Sequence, residues 1–548
     1  MKTNIKLSLL ALTLVLGASC TKMDEIQPQS GTLTSDQLEE TTTALPGRAD
    51  ALYAGMYALT GKPDGCNYAK PDDWGFIMIA FSGDIEAADV VLPDNNYNWF
   101  STCGEMSSRN PNYRNPYIRY SICYNVIAAA HDVMRAYGVE STAPEIKARI
   151  GEAYAMRAFA YMNLAPYFQF SFAAGGAEKP CVPLVTLNDT IDFTHNPRAT
   201  LAETYNLIIA DLNIAIEKLD GWQRKDKSKI DQQVCYGLLS RAYLYTGKYA
   251  EAAEAAKKAM EGYTPATMKE VSKPFLYNIS EHNWIWGYDM TSALAEVDPY
   301  ATTTSWLRCF SGDSYSAGTG TYAMINNLLY DMIPASDVRK GWWVNEDLES
   351  PLLEGQVWDD LVGQEISKGE IEDVKMQFLP YTNVKFGVEK YGTVINDEDW
   401  CYMRYEEMLL NQVEGLAKSG KEVEAKQILT KFMKENRDPE YDVNGRGLSF
   451  ENEIWFQRRV ELWGEGFSNV DTRRLNKPVV RFHEGEPSNQ PDYFKFNMAA
   501  DDGWLLMRFP EGETNTNFSI INNEDGKVPK PGQNGNLRDG VTDNALSK

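Results

Sequence analysis

The sequence predicts a mainly α-helical protein: a scaffold of tetratricopeptide-type hairpins carrying a large irregular, loop-rich half. Three observations predict it. Leu201, Tyr205, Ile208, Leu212, Ala215 and Leu219 recur at steps of three and four, which lays one apolar stripe along a long helix. Small residues surround a glycine turn between Ala242 and Ala259, with Gly247 and Ala252 five residues apart, and the same interval recurs at Gly420 and Ala425. Such spacing lets paired helices touch. Between the two copies, residues 263–399 keep no sustained 3.6 period and hold six of the thirteen tryptophans.

The chain opens on an address. Lys2 and Lys6 precede an apolar run from Leu7 to Leu16, far short of the roughly 20 apolar residues that span a bilayer. Gly17, Ala18 and Ser19 then lead into Cys20. The pattern looks like a bacterial lipoprotein signal: residues 1–19 as signal peptide, Cys20 as the lipidated residue, residues 20–45 as a polar spacer, and 46–548 as one body. The rival reading is an ordinary secretory peptide cut near Ala18.

Within the body, the pattern turns helical from about Pro116. Ile150, Tyr154, Ala158 and Tyr161 form the apolar face of a helix that Pro166 is expected to end. Gly247 and Tyr249 are expected in a turn between paired helices, and a helix around Tyr405 to Ala417 precedes the second copy. A single hairpin cannot bury its own apolar face and needs neighbours. The scaffold helices are therefore placed at about 116–262 and 400–465, with the insertion at about 263–399. The stretch from Trp74 to Phe100 reads as irregular, like the insertion, and the tail after Lys477 as a polar wrap around the helices.

Composition removes several function classes. With 53 basic and 77 acidic residues the net charge is −24, a field that repels nucleic acid. Four isolated histidines (His131, His195, His282 and His483) and no Cys-x-x-Cys pair leave little for a metal site. Apart from Cys20, seven cysteines (Cys66, Cys103, Cys123, Cys181, Cys235, Cys309 and Cys401) sit at irregular spacings, unlike a disulfide framework. Nucleophile elbows, zinc helices and phosphate loops are missing. Among so many acids, Asp359-Asp360 and Asp397-Glu398-Asp399 are expected by chance, and they read as solvated surface. No cofactor is expected, with calcium left open.

Several segments, in order, resemble the SusD/RagB-like outer-membrane lipoproteins that capture nutrients. They are the signal ending at Cys20 with Asp24-Glu25 beyond it, Tyr117 to His131, and Gly151-Glu152-Ala153-Tyr154-Ala155-Met156-Arg157-Ala158. Met403-Arg404-Tyr405-Glu406-Glu407 with Asn411 and Glu414 follows, then Arg458-Arg459-Val460-Glu461-Leu462-Trp463-Gly464-Glu465-Gly466 with Asp471 and Arg473-Arg474. Pro510-Glu511-Gly512-Glu513 with Asn517 closes the set. Gln457 stands where the family usually has Glu, and Phe467-Ser468 where it has His-Arg.

The resemblance implies four tetratricopeptide units, a loop-rich ligand-binding half, and no catalysis. It implies a SusC-like TonB-dependent transporter as partner, an oligosaccharide as ligand, and a lipid-anchored place on the outer membrane facing the exterior. Arg458, Glu465 and Arg473 are expected to form ion pairs between helices. A flat aromatic ring covers the C–H face of a pyranose while amides bind its hydroxyls, and Asp94-Asn95-Asn96-Tyr97-Asn98-Trp99 offers both. In the family, ligand contacts come from N-terminal loops and the insertion. The candidates there are Trp74, Tyr97, Asn98, Trp99, Trp286, Trp306 and Tyr315. Rival readings are a peptide-capturing member of the same family, a surface glycoside hydrolase and a periplasmic tetratricopeptide adaptor.

Overall fold

The computed structural model describes residues 47–61, 71–93, 100–106, 109–187, 192–295, 322–354, 378–387, 397–524, 526 and 533–543. Its main helices are α1 (Gly47–Ala58), α2 (Gly75–Glu86), α3 (Arg114–Tyr137), α4 (Pro144–Phe168), α5 (Leu201–Lys218), α6 (Gln232–Thr246) and α7 (Tyr249–Ala259). After a long interval come α8 (Tyr405–Lys418), α9 (Glu422–Asn436), α10 (Phe450–Glu461) and α11 (Ser468–Arg474). Each helix from α3 to α7 packs on the next, α7 packs on α8, and α8 packs on α9 and α10. The solenoid thus continues across the insertion as though it were not there. Among the described residues no helix is long and apolar enough to cross a membrane.

The helix boundaries follow local chemistry. Thr200 and Glu203 form a reciprocal capping box at the start of α5, satisfying backbone N–H groups that a helix start leaves unpaired. Asp231 caps α6, and Gly247 ends it at φ +76°, a conformation that costs glycine little. Tyr249 is the first residue of α7, not part of the turn. Pro166 does not end α4 either: it sits inside the last turn, and the helix runs two residues further to Phe168. At the seam between α7 and α8, a methyl group on Gly415 would lie 2.5 Å from the Tyr249 carbonyl oxygen. Close packing there requires the glycine.

Among the described residues three short antiparallel pairs occur: β1 (Val90–Val91) with β5 (Met324–Ile325) inside the irregular half, β2 (Pro180–Pro183) with β3 (Arg198–Thr200) between α4 and α5, and β4 (Trp284–Tyr288) with β6 (Trp400–Arg404), which joins the insertion to the scaffold. The β4–β6 pair aligns Trp284 with Arg404 and Tyr288 with Trp400. It carries the insertion into the core. Trp284, Trp286, Trp342 and Trp343 are all buried. Helix α2 also departs from the expectation of irregular chain. Eleven of its twelve residues are buried, so it lacks the polar face that makes a 3.6 period visible.

The charged motif residues are buried and paired. Glu461 accepts from Arg339, Arg404 and Arg437 at 3.1, 2.8 and 2.8 Å. Glu465 accepts from Arg404 and Lys385 at 2.7 and 2.6 Å, and Arg458 pairs with Asp471 at 2.6 Å. Arg473 differs from the expectation: it donates to Asn469 and to the carbonyls of Pro166 and Leu505, tying α11 to α4 and the tail. Burial and the nearby Arg109 pull its pKa down to about 10. Gln457 accepts from Arg339 and donates to Glu453, a double role that an ionised Glu could not fill.

Candidate ligand-binding site

Among the described residues three concavities stand out; one, of about 530 Å³, lies open along α9 alone between Val423 and Glu435, and the other two lie where several elements meet. The smaller of these two, of about 90 Å³, lies inside the scaffold among Phe159, Tyr245, Trp400, Tyr402 and Arg458. It is about a tenth the size of the larger and is walled by buried core side chains, which makes it the poorer candidate for a sugar ring. The other is an open cleft of about 940 Å³ in the loop-rich half, within the size range of ligand sites.

The open cleft is built where β1 meets β5. Val90 pairs with Ile325 and Val91 with Met324, and Pro93 and Met324 both line the opening. Asn327 donates through its side-chain amide to the Pro487 carbonyl at 3.0 Å, and Asn489 donates to the Ile325 carbonyl at 2.8 Å. These two amides fix the tail segment Pro487–Pro491 as one wall. Tyr381 also lines the cleft and sits at φ +70°, a conformation rare for a bulky residue. Its amide and carbonyl bond Val344 and Ile325, its hydroxyl donates to Glu346 at 2.8 Å, and its ring meets Tyr330 edge-on at 5.2 Å. Burial and the Glu346 carboxylate raise the phenol's pKa, so it stays a neutral donor.

The charge of the lining is lopsided. Asp331, Glu346, Glu484, Glu486 and Asp543 contribute carboxylates, against the single guanidinium of Arg538. His483 completes the wall and is 6% exposed. Burial and Arg538 lower its pKa, which keeps the imidazole neutral. Its Nε2 has no hydrogen-bond partner among the described residues.

The sequence candidates separate sharply. Trp286 is core: it packs against Phe159 and Tyr402, each at 4.8 Å between ring centroids, and is 1% exposed. Trp74 is fully buried at the start of α2. Neither offers a face to a ligand, because the rings fill the seam between scaffold and insertion. Tyr97, Asn98, Trp99, Trp306 and Tyr315 lie outside the described residues, as does Cys20. The cleft residues Tyr381, Asn327, Asn489 and His483 were not among the candidates. The proline-bracketed polar run Pro487-Ser488-Asn489-Gln490-Pro491 was the signal available for that wall.

Other polar clusters resolve as structure. Asp399 accepts the backbone N–H groups of Ile279 and Met290. His131 is buried 2.8 Å from Arg157, and burial brings its pKa to about 3. Cys103, Cys123, Cys181, Cys235 and Cys401 are free and buried. No cluster of metal-ligating side chains occurs among the described residues.

A tetratricopeptide-type helical scaffold with a lateral, loop-built cleft defines the class of protein. Sequence comparison narrows it: residues 82–244 match the family described as "Starch-binding associating with outer membrane", and residues 368–536 match the SusD family. Together these matches cover more than half of the chain, and the chain belongs to the SusD/RagB-like family.

Solved structures share the fold. A SusD-like carbohydrate-binding protein from Bacteroides vulgatus aligns with TM-score 0.68 at 23% identity, over 87% of this chain and 97% of that one. A SusD superfamily protein from Bacteroides thetaiotaomicron aligns at 0.65 and 20%, over 87% and 99%. Surface glycan-binding protein A from Bacteroides thetaiotaomicron, solved in complex with laminarihexaose, aligns at 0.63 and 15%, over 87% and 99%. No curated protein matches the chain.

Proposed function

We propose that this chain is a surface-exposed, non-catalytic glycan-binding lipoprotein. It captures oligosaccharide in the β1–β5 cleft and passes it to a SusC-like TonB-dependent transporter in the outer membrane. The observation that carries the reading is the pairing of β1 with β5. Residues 94–99, with Tyr97, Asn98 and Trp99, begin directly after Pro93, and residues 301–321, with Trp306 and Tyr315, end directly before Tyr322. Pro93, which precedes the first segment, lines the cleft, and so does Met324, two residues after Tyr322. That cleft is already furnished with a tyrosine and amide-bearing walls. The family match and the laminarihexaose complex of the surface glycan-binding relative support a saccharide as ligand. Cys20 is the proposed lipid attachment.

Trp99→Ala and Trp306→Ala test the site. Loss of one stacking ring removes contact area and a ring interaction, each on the order of 1 kcal/mol. Titration calorimetry against a panel of oligosaccharides should show at least several-fold weaker binding in each variant, with an unchanged circular dichroism spectrum. Wild-type affinity in both variants would place the platform elsewhere. No saccharide binding by the unmodified chain would transfer the role to peptides.

A further inference from the structure

We propose that the β1–β5 cleft selects uncharged or amine-bearing saccharides and rejects those carrying carboxylate or sulfate groups. This rests on the glycan-capture reading and adds the charge class of the ligand.

Two independent features of the cleft carry it. The first is the fixed charge of the wall: five carboxylates face one guanidinium. Lys340 lies near Asp331 and offsets part of its charge, whereas the contacts of Arg538, Glu346 and Asp543 are with neutral groups. Arg538 donates to the carbonyls of Gly535 and Leu537, Glu346 accepts from a neutral phenol, and Asp543 accepts from the backbone of Asp539 and Gly540. Glu346, Glu484 and Glu486 are solvent-exposed, but a concave wall of predominantly one sign still strengthens the local potential at low salt, so an anionic ring meets repulsion that a neutral ring does not. The chain's net charge of −24 adds long-range repulsion of polyanions before contact.

The second feature is a recognition group that carries no charge. The His483 ring is almost wholly buried, and its Nε2 stands in the wall without a hydrogen-bond partner among the described residues. Nε2 is closed to solvent and lies 3.9 Å from the Asp543 carboxylate. A buried polar atom left unpaired is costly, and a small displacement of the wall that admits a sugar hydroxyl or amine would complete its bonding. Its neutrality means that it offers a uronate or sulfate no opposite charge. The side-chain amide of Gln490, a residue that also lines the cleft, carries both donors and an acceptor and suits hydroxyl groups equally.

The test compares matched probes on the soluble chain: neutral gluco-, manno- and galacto-oligosaccharides, chitosan oligosaccharides, oligogalacturonate and a chondroitin sulfate hexasaccharide. Calorimetry at low salt should give at least tenfold tighter binding for the best neutral or amine-bearing probe than for either anionic one. Raising sodium chloride from roughly 20 to 500 mM shortens the screening length several-fold and should narrow that ratio. The surface variant Glu484→Gln/Glu486→Gln should narrow it at least fivefold at low salt. Anionic probes that bind as tightly as neutral ones, or a ratio indifferent to both salt and the variant, would overturn the charge selection while leaving glycan capture standing. Binding of no saccharide in any class would overturn both.

Discussion

Glu461 accepts from three guanidinium groups with its side chain fully enclosed. Those cations hold its pKa well below the usual carboxylate range despite the burial that pushes it up. Removing the carboxylate leaves buried cations uncompensated, so Glu461→Leu should destabilise by about 3–5 kcal/mol in denaturant unfolding. Glu152 behaves in the opposite sense. It is buried, and it accepts from Tyr53 at 2.6 Å and from Tyr57. Burial nevertheless raises its pKa from 4.5 to about 7. The folded state therefore holds a proton that the unfolded chain releases, and this contribution to stability fades as pH rises from about 4.5 through 7. Glu414 is pulled down to about 2, chiefly by Arg474, so its contribution is present above pH 4.5 and lost as pH falls toward 2. Glu152→Gln should flatten the decline between pH 4.5 and 7, on the order of 3 kcal/mol at full effect, and leave the acid limb intact. An unaltered profile from pH-dependent urea melts would contradict this.

At the scale of elements, two glycine substitutions should act with opposite signs. Gly415→Ala pushes a methyl group against the Tyr249 carbonyl and the Ala253 amide and should cost on the order of 1–3 kcal/mol. Gly55 lies in α1 with open space around it, so Gly55→Ala should stabilise by ~0.5–1 kcal/mol. Thermal melts that shift the same way in both variants would undermine the seam assignment.

These seams were also the most legible part of the sequence. Gly247 and Gly420 mark turns that need positive φ, and alanines at fixed distance mark helix contact. Helix α2 was hidden because a helix buried on every side has no amphipathic signature. Pro166 misled because a proline in the last turn frees only the Met162 carbonyl, a group that near a helix end is easily satisfied otherwise. The binding site was less legible still. Tryptophan serves core and platform alike, and Trp74 and Trp286 turned out to be core. The cleft joins residues 93, 324, 381 and 487–491, a convergence set by β1–β5 pairing that no local pattern announces.

The whole molecule is a helical scaffold carrying a loop-built cleft, with a proposed tether at Cys20. The proposed tether predicts that Cys20→Ala releases the protein from the outer-membrane fraction, because stable anchoring needs more than one acyl chain. Quantitative membrane retention of the variant in a strain lacking the transporter would refute the anchor. The central claim is that saccharide is held by the Pro487–Pro491 wall and Tyr381. The most direct measurement is a crystal structure of the soluble chain grown with the tightest-binding neutral oligosaccharide. Sugar density in the β1–β5 cleft, in contact with Tyr381 and the Pro487–Pro491 segment, is the predicted result. A fully occupied saccharide elsewhere on the surface, with the cleft filled only by solvent, would contradict it.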